Sequence, residues 1–514
     1  MAVRITGLNS GLDTDSIVQE LVSAYSLKTE KYEKQKTKIE WKQDAWKSLN
    51  TKIYSLYTSA SNLRFSSAYN TKKTTVSDAT KATVTAGTES VAGTQKLNIL
   101  KLAQSGYLTG GKLAKADNTE VTADTTLEEL GYTGEETTIT ITQNDGTTSE
   151  VKVSKTSKVS DVVNGLKNAG VSANFDAGNG RLYISSKESG TAADFTVGAA
   201  DADGQAALDA LGLAIKTTTD ANGNTVFTDD SAVKIDGSDA EIKLNGVTYT
   251  STSNSFSING LSITATGLTG DGDNNAITIT TAVDVQGIYD KIKDFLTEYN
   301  NVVNEMTKLY NADSAGKYEP LTDDEKEAMS ESEVEKWEAK IKDSLLRRDT
   351  TLNSVMTSMI NSMAQSVEID GKKYSLSSFG VHTLGYLNSV ENEQYAYHID
   401  GDEDDTNTSG NKDKLMKAIQ DDPDTICEFM KQLTTNLYTA IDKKMKSTSL
   451  SSAYKVYNDK ELDNQLDDVE DMIAKWEEKL AAQEEYYYQK FSAMETALSK
   501  LQNQTNSLTG LFNS

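Results

Sequence analysis

Between Ser16 and Leu63, apolar side chains recur at alternating three- and four-residue steps: Val18, Leu21, Tyr25, Tyr32, Ile39, Trp46, Leu49, Ile53, Leu56, Ala60 and Leu63. This is the seam of a coiled coil, and neither Gly nor Pro interrupts it. Lys28, Gln35 and Lys42 also stand at seam positions, where polar groups weaken packing and help fix register. At about 1.5 Å per residue the helix runs roughly 70 Å, too long to bury its stripe against one compact domain. It needs a partner of similar length. The other end of the chain offers one, with Leu462, Leu466, Val469, Ile473, Trp476, Leu480, Tyr487, Phe491, Met494, Leu498, Leu501 and Leu508 at the same spacing. From Leu480 to Phe491 the interval is eleven residues, a four-residue insertion that locally unwinds a coiled coil. Lys28 to Lys52 holds eight Lys, and Asp459 to Glu495 holds twelve acids against four Lys, so the charges favour pairing. The pattern predicts an antiparallel stalk with both termini at its tip. Its seam is formed by Trp46, Leu49, Ile53 and Leu56 on one helix and Ile473, Trp476, Leu480, Phe491 and Leu498 on the other. The competing arrangement packs each helix on a separate globular domain.

Ahead of the first helix, Ser16 with Gln19 fits a capping box. Leu8 and Leu12 lie in a segment too short to bury them, so they either await another molecule or staple onto the same helix. After Leu63 the period changes to two. Thr74–Ser77, Ala82–Ala86 and Thr94–Leu102 read as strands, as does 240–283, where Asn245-Gly246 and Asn259-Gly260 each sit between alternating runs as hairpin turns. Neither β segment has strands enough for its own core, so together they predict one domain interrupted by a small α+β insertion. Helical periodicity returns at Gly287 (Ile288, Ile292, Phe295, Tyr299, Val302, Met306). It continues over 321–360 with a break near Arg348, gives way between Ile369 and Ile399 to a small hairpin suggested by the Gly371, Gly380 and Gly385 turns, and resumes from Pro423 to Met445. The predicted organisation is a multidomain α+β chain: an N-terminal leg helix over 1–70, a β domain in two parts (71–115 and 231–283) around an inserted domain (116–230), an α-rich body (284–455), and a C-terminal leg helix (456–514).

A chain of 514 residues has room for several domains, and its net charge of −26 argues against nucleic acid as a partner. The single cysteine, Cys427, excludes an intramolecular disulfide. No apolar run is long enough to span a membrane, and the first residues lack the basic-then-apolar order of a signal peptide, which leaves export without a cleaved signal open. Glycine turns such as Gly178-Asn179-Gly180 match no phosphate-loop spacing. The two histidines, His382 and His398, read as structural. Asp400, Asp402 and Asp404 alternate as in a calcium loop, but Asp405 and Asn411 stand where that loop needs Gly and Glu. The run therefore reads as a solvated loop. No nucleophile-and-base pair, cofactor motif or metal-ligand set is visible, and no enzyme is expected.

One ordered series of segments carries a resemblance. GLNSGLDTDSIVQELV from Gly7, GTQKLNILKLAQSGYL from Gly93, GIYDKIKDFLTEYNNVVNEM from Gly287, LSSFGVHTLGYL from Leu376 and QEEYYYQKFSAMETALSKLQNQTNSLTGLF from Gln483 resemble the flagellar filament cap family, the second of the hook-associated proteins. The segment from Val159 also resembles a repeat of flagellins and hook proteins. The resemblance implies a leg-and-head molecule that leaves the cell through the flagellar export apparatus with a dedicated chaperone. It implies assembly with itself into a ring or plate at the extracellular filament tip, where the cap guides arriving flagellin and prevents its loss. Leu8, Leu12, Leu508, Leu511 and Phe512 are the expected flagellin and self-association contacts. Other readings are a junction protein or flagellin in the same machine, or an adhesin whose head binds host surface glycans.

Overall fold

The computed structural model describes residues 10–219 and 225–512. It divides into two compact units, one formed by Met1–Tyr69 with Val285–Ser514 and the other by Asn70–Asp284.

The first unit is helical. Its N-terminal helix, Thr14–Leu63, is capped by Asp13, whose carboxylate accepts from the Ser16 N–H (3.2 Å) and hydroxyl (2.7 Å). The expected Ser16–Gln19 box is thus replaced by an Asp three residues earlier, a stronger acceptor facing the positive helix end. The C-terminal helix, Asp459–Phe512, runs antiparallel to it. Gln43 donates to Asp463 (2.8 Å), Lys36 pairs with Glu470 (2.7 Å), Tyr25 meets Trp476 (centroids 6.3 Å apart), Asp15 accepts from the Tyr488 hydroxyl (3.0 Å), and Glu495 accepts from the Ser10 N–H (3.2 Å). As residue number climbs on one helix it falls on the other, as a fixed antiparallel register requires. Val18 and Val22 are buried in the pair, whereas Leu21 is exposed.

That register ends the pairing at Gln43, because the C-terminal helix begins only at Asp459. Trp46, Leu49, Ile53 and Leu56 are therefore not opposite Ile473, Trp476 or Leu480, and the seam expected from these nine residues is corrected for the first four. They are buried instead in the body: Trp46 stacks on Tyr457 (5.2 Å, 7°), which lies before the C-terminal helix. The Val285–Asn311 helix closes over the same end through Lys52–Glu305 (2.5 Å) and Ser55–Glu298 (2.6 Å), and the Pro423–Lys444 helix through Tyr57–Tyr438 (3.0 Å). The body between them contains Asp323–Glu327, Glu331–Ser344 and Thr350–Met363, the last two separated where Arg348 adopts φ 54° and donates its N–H to the Tyr310 carbonyl (3.1 Å). A two-residue hairpin at Asp370-Gly371, both at positive φ, joins Val367–Ile369 to Lys372–Tyr374.

The second unit is β-rich. A five-stranded antiparallel sheet, ordered Lys72–Val76, Ile277–Val283, Gly93–Lys101, Ala240–Leu244, Val247–Ser251, shares one core with the three-stranded sheet Ser255–Ile258, Leu261–Ala265, Ala82–Ala86. Both Asn-Gly turns sit at positive φ at both residues, the geometry that two-residue hairpins demand. A separate core holds the insertion, built on two further sheets and the helices Val159–Asn168 and Ala202–Ala210. The chain passes into it at the Gln104–Ser238 bridge, and Leu108 already belongs to the inserted core. The insertion is therefore wider than the 116–230 read from periodicity, because Tyr107–Thr109 pairs with Val233–Ile235 and with Arg181–Ser185.

The ends of this unit pair with each other: Lys72 stands opposite Val283, and the Asp284 N–H donates to the Thr71 carbonyl (2.9 Å). Excision at these points leaves every strand of the sheet with its neighbour. Residues 70–284 expressed alone are expected to be soluble and to unfold in cooperative, β-rich transitions followed by circular dichroism. A fragment with no cooperative transition would show that the unit depends on the helices.

Candidate functional site: the paired terminal helices

Where the two long helices pack on each other alone, each buries one stripe and leaves the rest to solvent. Ile473, Trp476, Leu480, Phe491 and Leu498 are accordingly half-buried. Past the Ser10–Glu495 contact the C-terminal helix continues for about 25 Å. Among the described residues nothing covers Lys500–Thr509, where Leu501 is 58% and Leu508 55% exposed. At the same end Leu12 is 45% exposed. Of the five expected contact residues, Leu12 and Leu508 thus lie on open surface. Leu8 lies outside the described residues, as do the side chains of Leu511 and Phe512, which occupy the last turn of the helix. Leu21, Leu27 and Tyr486 are further exposed apolar side chains on the pair. Leu21 had a seam position; Leu27 and Tyr486 lie off both stripes, and the spacing gave no signal for them.

The basic stretch of the N-terminal helix is divided between two partners. Lys36 meets Glu470 on the C-terminal helix, and that hydrogen bond raises the Lys36 pKa. Lys34 pairs with Glu325 (2.7 Å), Lys38 with Glu319 (3.5 Å) and Lys42 with Asp349 (3.1 Å), all in the body. The Lys34 bond, followed by the Thr322 N–H, lowers the Glu325 pKa. Exposed pairs of this kind contribute little stability each, so they serve register more than cohesion.

The acidic run is not a solvated loop. Lys293, from the Val285–Asn311 helix, lies 2.6 Å from both Asp402 and Asp404; its pKa is raised by those two bonds, and that of Asp404 is lowered by the same lysine. Asp400 is buried and accepts from the Asn411 side chain (2.7 Å), while Asp405 bonds His398 Nδ1 (2.6 Å). Burial works against ionisation of Asp405, yet the Asn407 N–H and His398 hold its carboxyl below the usual range. Asp402 and Asp404 are thus taken up by Lys293, and Asp400 by Asn411 and Lys414, so the three do not converge on a common point as calcium ligands would. Among the described residues, no group of three or more His, Cys, Asp or Glu is placed to hold a metal. Cys427 is half-buried, and burial pushes its thiol up to about 11, so it is not poised as a nucleophile. Among the described residues no helix is long and apolar enough to cross a membrane.

The chemistry on offer is therefore that of surfaces. Residues 10–106 match a family model described as the N-terminus of flagellar hook-associated protein 2, and residues 237–503 match the model of its C-terminus. The matches stop and resume within two residues of the Gln104–Ser238 bridge, so they frame the inserted core without including it. Flagellar hook-associated protein 2 of Halalkalibacterium halodurans is 24% identical over 567 residues, covering 99% of this chain and 100% of that one. An A-type flagellar hook-associated protein 2 of Pseudomonas aeruginosa is 27% identical over 329 residues, 61% of this chain and 64% of the relative. Among solved structures, a three-domain crystal structure of the flagellar cap protein FliD from Escherichia coli aligns over 83% of this chain and 99% of that chain, at 17% identity and a TM-score of 0.49.

Proposed function

The chain belongs to the flagellar hook-associated protein 2 family, and from that premise we infer its work: it is the structural cap of the bacterial flagellar filament. It associates with itself at the extracellular tip, guides the insertion of flagellin and prevents its loss. The observation that carries the reading is the pair of family matches, which together span both terminal helices, the body and the two-part β domain. The role is structural, and no reaction is assigned to it.

The finer assignments are ours. Leu12 and Leu508, with Leu8, Leu511 and Phe512, are proposed to contact flagellin. The exposure of Leu12 and Leu508 at one end of the helix pair supports this. Each contact is small, so a single leg binds weakly. Several legs in one assembly hold by avidity, which lets one release while the others keep the cap seated. Delivery is proposed to run through the flagellar export apparatus with a dedicated chaperone. Host surface glycans, the partner of the alternative adhesin reading, have no residue assigned to them.

Expression of the full chain in a motile strain lacking its own cap protein tests the reading. Filaments should reappear and monomeric flagellin in the medium should fall. Unchanged leakage with normal export of the chain would refute it.

A further inference from the structure

The body end of the N-terminal helix carries a strip of aromatic rings that periodicity does not reveal. Tyr454 meets Tyr54 edge-on (5.9 Å, 83°), Tyr54 lies beside Tyr57 (5.8 Å), and Tyr57 stacks on Tyr438 (4.7 Å, 18°). The strip ends at Arg64, whose guanidinium carbon is 4.2 Å from the Tyr438 ring centre and 4.9 Å from that of Phe65. Tyr454, Tyr54 and Phe65 are 57%, 43% and 53% exposed. Arg64 forms no salt bridge among the described residues, and its Nε is buried without a hydrogen-bond partner. Of the lysines on the adjoining helix, Lys34, Lys36, Lys38, Lys42, Lys47 and Lys52 have carboxylates, while Lys28 and Lys31, like Arg64, form no salt bridge among the described residues.

We propose that this strip is a contact between copies of the chain, in which Arg64 receives a carboxylate from the neighbouring copy. The proposal rests on the cap reading, which requires self-association. Tyr and Arg are the residues that carry most binding energy at protein interfaces, chiefly where they are rigid and partly desolvated beforehand. Here the rings already fix the guanidinium plane, so little freedom remains to be lost when a carboxylate docks on its fork. Charge selects the partner. Two copies at −26 each repel, and a contact between them must bring cations to the acids that meet there. An arginine held on aromatic faces without a carboxylate of its own meets that need. The surface is also separate from the proposed flagellin contact, because Leu12 lies at the opposite end of a 50-residue helix, so both can be engaged at once.

Sedimentation velocity on the full chain, over a concentration series at low and high salt, tests it. Arg64→Ala should weaken self-association about tenfold or more, and the salt dependence should shrink with the lost charge. Phe65→Ala and Tyr54→Ala, at exposed positions, should weaken it without altering the melting curve, and they decide the matter if Arg64→Ala is itself unstable. Wild-type affinity in the folded variants overturns the proposal while leaving the cap reading intact. A wild-type chain that stays monomeric throughout overturns both. Normal assembly with lost flagellin binding assigns the strip to flagellin and equally overturns it.

Discussion

Trp46→Ala is expected to destabilise the helical unit by about 3–5 kcal/mol, the cost typical of emptying a large aromatic site in a packed core. Trp46 is only 2% exposed, and its ring lies parallel to that of Tyr457 in the loop that leads into the C-terminal helix. One turn further along, the buried Asn50 donates to the Tyr454 carbonyl (3.2 Å) and accepts the Val456 N–H (2.9 Å). Losing the indole therefore opens a cavity beside the two hydrogen bonds that dock this loop. Trp476→Ala should cost far less, on the order of 1 kcal/mol. Its ring is half-buried, its neighbours are Tyr25 and Lys479, and its buried N–H has no acceptor, so truncation also removes an unsatisfied donor. Urea melts of the two variants would check the order. Equal losses would mean that both rings share one seam, contrary to the packing described above.

The same contrast shows where the sequence is informative. A three-and-four stripe identifies the face a helix buries, and it correctly brings the two terminal helices together antiparallel. It carries no label for the partner. The stripe through Trp46, Leu49, Ile53 and Leu56 keeps the spacing of Val18, Tyr25, Tyr32 and Ile39 ahead of it, yet its cover changes from one long helix to the Val285–Asn311 and Pro423–Lys444 helices and a loop. The change is set by where the second helix begins, a turn geometry around Tyr454 (φ 62°) that no periodicity encodes. Local rules did better where the determinant is local: both Asn-Gly hairpins and the break at Arg348 rest on residues at positive φ next to the turn, whereas the glycines between Ile369 and Ile399 mark a tight hairpin at Asp370-Gly371 and a separate pairing of Val381–His382 with His398–Ile399. Individual side-chain pairings across long separations were invisible. Lys293 is 109 residues from Asp402, and Tyr57 is 381 residues from Tyr438; the acidic run and the aromatic strip gained their character only from the fold. At the candidate contact the sequence left Leu12 either to another molecule or to a staple on its own helix and put Leu508 on the seam stripe; the fold leaves both exposed, which favours the first choice for Leu12 and leaves Leu508 without a described cover.

Removing residues 500–514 is expected to abolish capping while leaving the fold intact. The paired helices make their last described cross-contact at Glu495, and Lys500–Thr509 is exposed throughout, so the deletion removes almost no buried surface. The melting free energy should change by no more than about 0.5 kcal/mol, the level of surface substitutions. A solitary helical extension of this length gains little from its own hydrogen bonds in water, where helices shorter than about 12–15 residues are marginal. Its leucines at 501 and 508 keep the spacing of a seam with no described partner, which is what a surface that completes itself on another molecule requires. The truncated chain should therefore fold and self-associate, yet fail to restore filaments or stop flagellin leaking into the medium. Double replacement of Leu501 and Leu508 by Ser should act in the same direction with a smaller loss, because the backbone and the rest of the extension persist. A truncated chain that melts several kcal/mol lower would place residues 500–514 in the core of the helix pair. One that caps normally would move flagellin recognition away from this end altogether.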